Sequence, residues 1–207
     1  MELARDVLTQ AKEFFALPLE KKNEVSTELR PNEYTGYHSV GKYNSNGWKY
    51  CDGYEAFNWP YDASKDPDFP DPSLPQNGLW PMDMPQFREK LSAYQSAMTR
   101  LGRQMTRMFA LALHVQEDAF DDYVQRPEAG VRILHYPKQK ISRDEQNGIG
   151  AHTDTNTFTM VVAEDEGLEV FSKTSGRWIK VQPVKNSFVI NIADCFMRQT
   201  VRSRVDR

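Results

Sequence analysis

The sequence predicts an α+β chain in which helices come first and antiparallel strands come second. Three observations predict it. Residues 2–15 and the stretch from Asp83 to Ala112 carry apolar side chains at steps of three and four. From about residue 130 the pattern changes to short runs of β-favouring residues. Between these, residues 30–85 are rich in Pro, Gly, Asn, Asp and aromatic residues and read as an ordered loop region.

The first helix follows from Leu3, Val7, Ala11 and Phe14, flanked by Leu8 and Phe15, with Pro18 stopping the pattern. In the loop region, Asp66-Pro-Asp-Phe-Pro-Asp-Pro-Ser-Leu-Pro75 is turn chemistry. Trp48, Tyr54, Phe57, Trp59, Phe69 and Trp80 must bury their area somewhere, so this region is expected to be ordered. Asp83 is the expected cap of a long helix, with Pro85 in its first turn. Phe87, Leu91, Tyr94, Met98, Leu101, Met105, Met108 and Ala112 mark its apolar face, which ends by His114. That stripe reads as a core-facing helix, with a coiled coil as the alternative.

Strands are expected over residues 131–136, 158–162, 168–171, 178–181 and 188–192, separated by turns such as Glu166-Gly167 and Ser175-Gly176. Short strands at close spacing point to an antiparallel sandwich or barrel. The expected organisation is a helical and loop region over residues 1–115 and a strand-rich core over 125–207.

The chain has 207 residues, of which 39% are hydrophobic and 27% charged, enough to bury one sizeable core. A net charge of −3 argues against a phosphate-tracking surface, so nucleic acid is not an expected partner. No apolar run reaches the length of a bilayer span, and the N-terminal residues lack the basic-then-apolar pattern of a secretory signal. Cys51 and Cys195 make no disulfide framework and read as free thiols in a reducing compartment. A soluble, cytoplasmic protein is expected.

The chemistry centres on His152 and Asp154. In an extended segment, residues two apart point to one side, so an imidazole nitrogen and a carboxylate oxygen can converge on one ion. A neutral imidazole and a hard carboxylate suit Fe(II) in the arrangement of two histidines and one carboxylate, which leaves coordination positions open. Open positions accommodate O₂ and a chelating 2-oxo acid. A bare His-x-Asp is a weak signal, but here Gly148 and Gly150 precede it and Thr157 and Thr159 follow.

Gly148-Ile-Gly-Ala-His-Thr-Asp154 is followed by Thr157-Phe-Thr-Met-Val-Val162, Gly167-Leu-Glu-Val170, Gly176-Arg-Trp-Ile-Lys-Val181 and Asn191-Ile-Ala-Asp194. With Arg132-Ile-Leu-His-Tyr-Pro137 upstream, and Phe14-Phe-Ala-Leu-Pro-Leu-Glu-Lys-Lys22 and Gly36-Tyr37 near the start, this series resembles the isopenicillin-N-synthase-like branch of the Fe(II)/2-oxoglutarate oxygenases. The family's usual Asn-Ile-Gly-Asp carries Ala193 here in place of glycine. The resemblance implies a double-stranded β-helix, or jelly roll, buttressed by the long helix. It implies His152 and Asp154 as iron ligands and Fe(II) and 2-oxoglutarate as cofactors, with ascorbate supporting activity. It further implies that Tyr136 reaches the 2-oxoglutarate carboxylate; the alternative is an ordinary strand aromatic. Arg132 and His135 read as structural, His114 as a capping or packing residue, and His38 has no assigned partner.

The family's third ligand is a histidine roughly 50 to 60 residues after the aspartate. Here no histidine follows Asp154, and 207 − 154 = 53 residues remain. The arginine and serine that grip the far carboxylate of 2-oxoglutarate in the family also have no counterpart. The tail, Arg198-Gln-Thr-Val-Arg-Ser-Arg-Val-Asp-Arg207, reads in two ways. Either Asp206 stands where the histidine belongs, or the last seven residues are unrelated sequence after a truncation, which is the preferred reading. The start also opens directly on the family's first helix, without the strand that normally precedes it.

Three functions follow. The first is an oxygenase that hydroxylates, desaturates or cyclises a small organic molecule in secondary metabolism, with O₂ and 2-oxoglutarate as co-substrates. The second is a catalytically inactive or regulatory derivative of the same fold. The third is a cupin-type metal protein, disfavoured because His135 is the only histidine near His152.

Overall fold

The computed structural model describes residues 1–45, 47, 50–74, 78–138 and 147–205, with side chains through residue 200. Two compact units emerge, one spanning Glu2–Ala151 and the other from His152 onward, the latter also counting Met1.

In the first unit, α1 (Glu2–Phe15) buries Val7, Ala11, Phe14 and Phe15 of the expected face, together with Ala4 and Gln10, whereas Leu3 and Leu8 are only partly buried. Beyond Pro18 a second short helix forms, α2 (Leu19–Asn23). The loop region contains two strands that its composition hides: β1 (Gly36–His38) and β2 (Glu55–Trp59). With β3 (Val131–His135) they form a three-stranded antiparallel sheet in the order β1-β2-β3. Tyr37 lies opposite Phe57, and Phe57 opposite Ile133. All five positions of β2 are buried, so it shows no polar–apolar alternation to betray a strand.

The long helix, α3 (Pro85–Ala112), packs on α1 and the sheet. Phe14 stacks on Phe87 at 5.0 Å between ring centroids, and Phe87 meets Phe57 edge-on at 4.9 Å. Val7, Ala11, Phe14, Phe57, Phe87 and Leu91 belong to one buried apolar cluster. Two expectations about α3 need correction. Its N-cap residue is Met84, not Asp83, whose carboxylate instead accepts from Lys21 at 3.1 Å. Its buried face runs through Phe87, Leu91, Gln95, Thr99, Thr106 and Ala110, whereas Met108 is exposed. Polar residues tolerate this face because each finds a carbonyl: Gln95 donates to Pro60 and Ala129, and Thr99 and Thr106 donate to carbonyls one turn back. His114, at φ 60°, takes the left-handed conformation that ends a helix. A short helix, α4 (Asp121–Val124), then leads to β3.

Two of the buried carboxylates, Glu55 and Asp66, tie separate elements together. Glu55 accepts from Lys22 Nζ at 2.8 Å and Tyr37 Oη at 2.7 Å, and His135 Nδ1 lies 2.8 Å away. Asp66 holds the Pro-rich loop to α3 through Arg103, at 2.6 and 2.9 Å, and through the N–H groups of Asp68 and Phe69. Burial alone would raise the Asp66 carboxyl, but Arg103 and Tyr61 hold it well below the usual range.

Gly36 is required by its backbone. Its φ is +97°, and a Cβ there would lie 2.2 Å from the Val25 carbonyl oxygen that accepts the Tyr37 N–H at 2.8 Å. Gly36→Ala is expected to cost at least about 2 kcal/mol. Thermal unfolding checks this, since a loss of that size lowers the midpoint by several degrees in a chain of this length. A midpoint equal to that of the parent chain would show that the β1 entry is not constrained in this way.

In the second unit, β4 (Phe158–Val161) pairs antiparallel with β7 (Val189–Ile192). The hairpin partners β5 (Glu169–Ser172) and β6 (Arg177–Lys180) turn at Gly176, φ +64°. These four strands fall within a residue or two of their expected positions. A final helix, α5 (Asp194–Val205), follows β7 directly and was not foreseen from the sequence. Helices and antiparallel sheets thus share the chain, as an α+β reading expects.

Candidate metal centre

His152 and Asp154 open the second unit in an irregular segment before β4. Their side chains turn to the same side: His152 Nε2 lies 3.5 Å from Asp154 Oδ1, with side-chain exposures of 44% and 24%. The donor pair, one imidazole nitrogen and one carboxylate oxygen, is of the type that would hold a first-row ion such as Fe(II).

The junction of β7 and α5 holds this segment in place. The Asp194 N–H donates to the Asp154 carbonyl at 2.9 Å, and the Ala193 N–H donates to the Thr157 carbonyl at 3.1 Å. Thr153 Oγ1, between the two candidate ligands, donates to Asp194 Oδ2 at 2.9 Å. Asp194 is thus a support for the His-x-Asp segment that residue-by-residue reasoning missed. The signal was present in the Asn191-Ile-Ala-Asp194 motif, whose last residue makes both contacts.

Among the described residues, no group of three His, Cys, Asp or Glu side chains is placed to hold a metal ion. Asp206, the substitute ligand considered from the sequence, lies outside the described residues.

Tyr136 belongs to the first unit, directly after β3, and is half exposed. Burial pushes its hydroxyl pKa up, and the Arg132 charge opposes that shift. Its ring centroid lies 5.9 Å from that of Tyr54. Arg132 donates to Asn58 Oδ1 at 2.9 Å, with its guanidinium over the Tyr34 and Tyr54 rings. His135 meets Glu55 and stacks on Phe15 at 5.3 Å. His38 is buried edge-on to Tyr43 and Tyr54, and that burial lowers its pKa. In the aromatic stretch from Tyr34 to Trp59, Phe57 and Trp59 are core residues, and Trp48 lies outside the described residues.

Comparison with known proteins places this arrangement. Residues 127–205 match the 2OG-Fe(II) oxygenase superfamily, and residues 1–83 match the family described as non-haem dioxygenase in morphine synthesis N-terminal. The chain is 33% identical over 206 residues to a 2-oxoglutarate-Fe(II) type oxidoreductase, hxnY, of Emericella nidulans, covering 95% of this chain and 58% of that protein. It is 34% identical over 203 residues to a homoarginine-6-hydroxylase of rice, covering 94% and 59%. Its structure matches that of a 2OG-Fe(II) oxygenase family protein from Caulobacter crescentus with a TM-score of 0.78 at 27% identity, over 95% of this chain and 62% of that one. The chain therefore spans a little under two thirds of the length of these relatives. The match over residues 127–205 contains the His152–Asp154 pair, the two matches together cover most of the chain, and the chain belongs to the 2OG-Fe(II) oxygenase superfamily.

Proposed function

We propose that the chain is, or is part of, a non-haem Fe(II), 2-oxoglutarate-dependent oxidoreductase acting on a small organic molecule in the cytoplasm, in secondary metabolism. The carrying observation is the convergence of His152 Nε2 and Asp154 Oδ1 at 3.5 Å in a member of a family named for this cofactor pair. In this reading, residues 1–115 are the N-terminal region of the dioxygenase and residues 125–207 are part of its jelly-roll core. Names of relatives such as 2-oxoglutarate-dependent dioxygenase eupC support the same chemistry.

His152 and Asp154 hold the metal, and Tyr136 contacts the 2-oxoglutarate carboxylate. Bound Fe(II) with 2-oxoglutarate and O₂ supplies an oxidation coupled to decarboxylation, giving succinate and CO₂, whose outcome on the substrate is hydroxylation, desaturation or ring closure. The residues of this chain orient that chemistry. Thr153 and Asp194 fix the backbone between the two ligands, and an Asp154 carboxylate brings the negative charge a hard divalent cation favours.

The test is succinate formation from 2-oxoglutarate with Fe(II), ascorbate and air, without any added substrate. Succinate above a protein-free control, lost in Asp154→Ala, is the expected result. Equal succinate with and without the protein would favour an inactive derivative of the fold.

A further inference from the structure

Tyr136 is held by backbone that no sheet fixes. Its ring meets that of Tyr54, and it also meets Gly148, where an added Cβ would come within 2.8 Å of Tyr136 Cδ1 and 3.0 Å of Cε1. Gly148 sits in a segment, residues 147–151, that belongs to no strand or helix. Its position is set by two neighbouring residues of another loop. The Gly53 N–H donates to the carbonyls of Asn147 at 3.1 Å and Gly148 at 2.9 Å, and Asp52 Oδ1 accepts the Gly150 N–H at 2.9 Å.

Asp52 is built for this task. It is 5% exposed, and its other oxygen accepts from Ser45 N–H at 3.1 Å and from Ser45 Oγ. Its own N–H donates to Tyr43, and its carbonyl accepts from Gly41. Three successive residues thus frame one side chain: Asp52 grips Gly150, Gly53 grips Gly148, and Tyr54 packs on the Tyr136 ring. A carboxylate with both oxygens engaged has little freedom to move, which is what a supporting residue needs.

We propose that Asp52 is a positioning residue for Tyr136, and that it sets 2-oxoglutarate affinity by holding the Gly148–Gly150 backbone against the Tyr136 ring. The inference rests on the reading of Tyr136 as a 2-oxoglutarate contact.

The experiment measures 2-oxoglutarate affinity by calorimetry on the Mn(II)-loaded chain, beside Mn(II) affinity by electron paramagnetic resonance and the thermal midpoint. Asp52→Ala is expected to weaken 2-oxoglutarate binding about tenfold with Mn(II) affinity within about twofold. Asp52→Asn keeps an oxygen for the Gly150 N–H and should stay within about threefold of the parent. In a Tyr136→Phe background, itself weakened, Asp52→Ala should add no further loss. Gly148→Ala gives the same answer if Asp52→Ala does not fold: weaker 2-oxoglutarate binding in a chain that still binds Mn(II). Unchanged affinity in a folded Asp52→Ala, or full additivity with Tyr136→Phe, would overturn the inference alone. An unsubstituted chain that binds Mn(II) but not 2-oxoglutarate would overturn the functional reading as well.

Discussion

Asp154→Ala is expected to weaken divalent-metal binding by at least about a hundredfold while leaving the fold in place. The size follows from what the side chain contributes. With His152 it forms a convergent pair at the head of the second unit, and of the two it alone brings a formal negative charge. Asp154→Asn keeps the shape and loses the charge, so it should resemble the alanine variant more than the parent. His152→Ala removes the nitrogen donor and should act in the same direction. Both side chains are partly exposed, at 44% and 24%, so neither substitution opens a core cavity. Asp194→Ala should have a smaller effect, about tenfold, because it loosens Thr153 and not a ligand itself. Mn(II) titration followed by electron paramagnetic resonance reads all four. Parent-like affinity in Asp154→Ala would remove this pair as the metal site, and the proposed function with it.

The sequence made some of this legible and hid the rest for physical reasons. α1 and the four strands of the second unit were readable because their local pattern and their burial agree: Val7, Ala11 and Phe14 recur at helical steps and are buried. The turn at Gly176 was readable because a positive φ needs a residue without a Cβ. β1 and β2 were not, because they are buried on both faces and carry Glu55 and Asn58 inside, where alternation predicts apolar residues. What makes Glu55 tolerable there is Lys22, 33 positions away, a pairing no local window contains. The stripe on α3 was misplaced for a related reason. Gln95, Thr99 and Thr106 are buried because carbonyls are waiting for them, and hydrophobicity alone selects the methionines instead. At the candidate site, His152 and Asp154 could be paired by spacing. The support from Asp194 was marked only by its place in the Asn191-Ile-Ala-Asp194 motif, because its contacts with Thr153 and Asp154 depend on the junction of β7 and α5.

Glu55→Gln should cost about 3–5 kcal/mol, because it strands a buried ammonium. The Lys22 and Glu55 side chains are 9% and 7% exposed and 2.8 Å apart, and among the described residues Lys22 also reaches the Phe15 carbonyl, at 3.1 Å, and the face of the Tyr37 ring. The pair joins α2 to β2, while Tyr37 and His135 bring β1 and β3 to the same carboxylate. The double variant Lys22→Met/Glu55→Gln removes both charges and leaves an amide oxygen for Tyr37. It should therefore be more stable than Glu55→Gln alone. Acid gives a second readout with a definite sign. Burial raises the Glu55 carboxyl, but hydrogen bonds from Lys22, Tyr37 and His135 outweigh it and leave its pKa below the ordinary 4.5. A lowered carboxyl contributes stability above its unfolded value and loses it as pH falls through the folded one. The gap between the parent and Glu55→Gln should thus be full at neutral pH and shrink below about pH 4.5. Denaturant unfolding at several pH values measures the gap. A gap that stays constant into acid, or a double variant less stable than Glu55→Gln, would mean that Lys22 is not stabilised by the Glu55 charge and that the three strands are held by their apolar face alone.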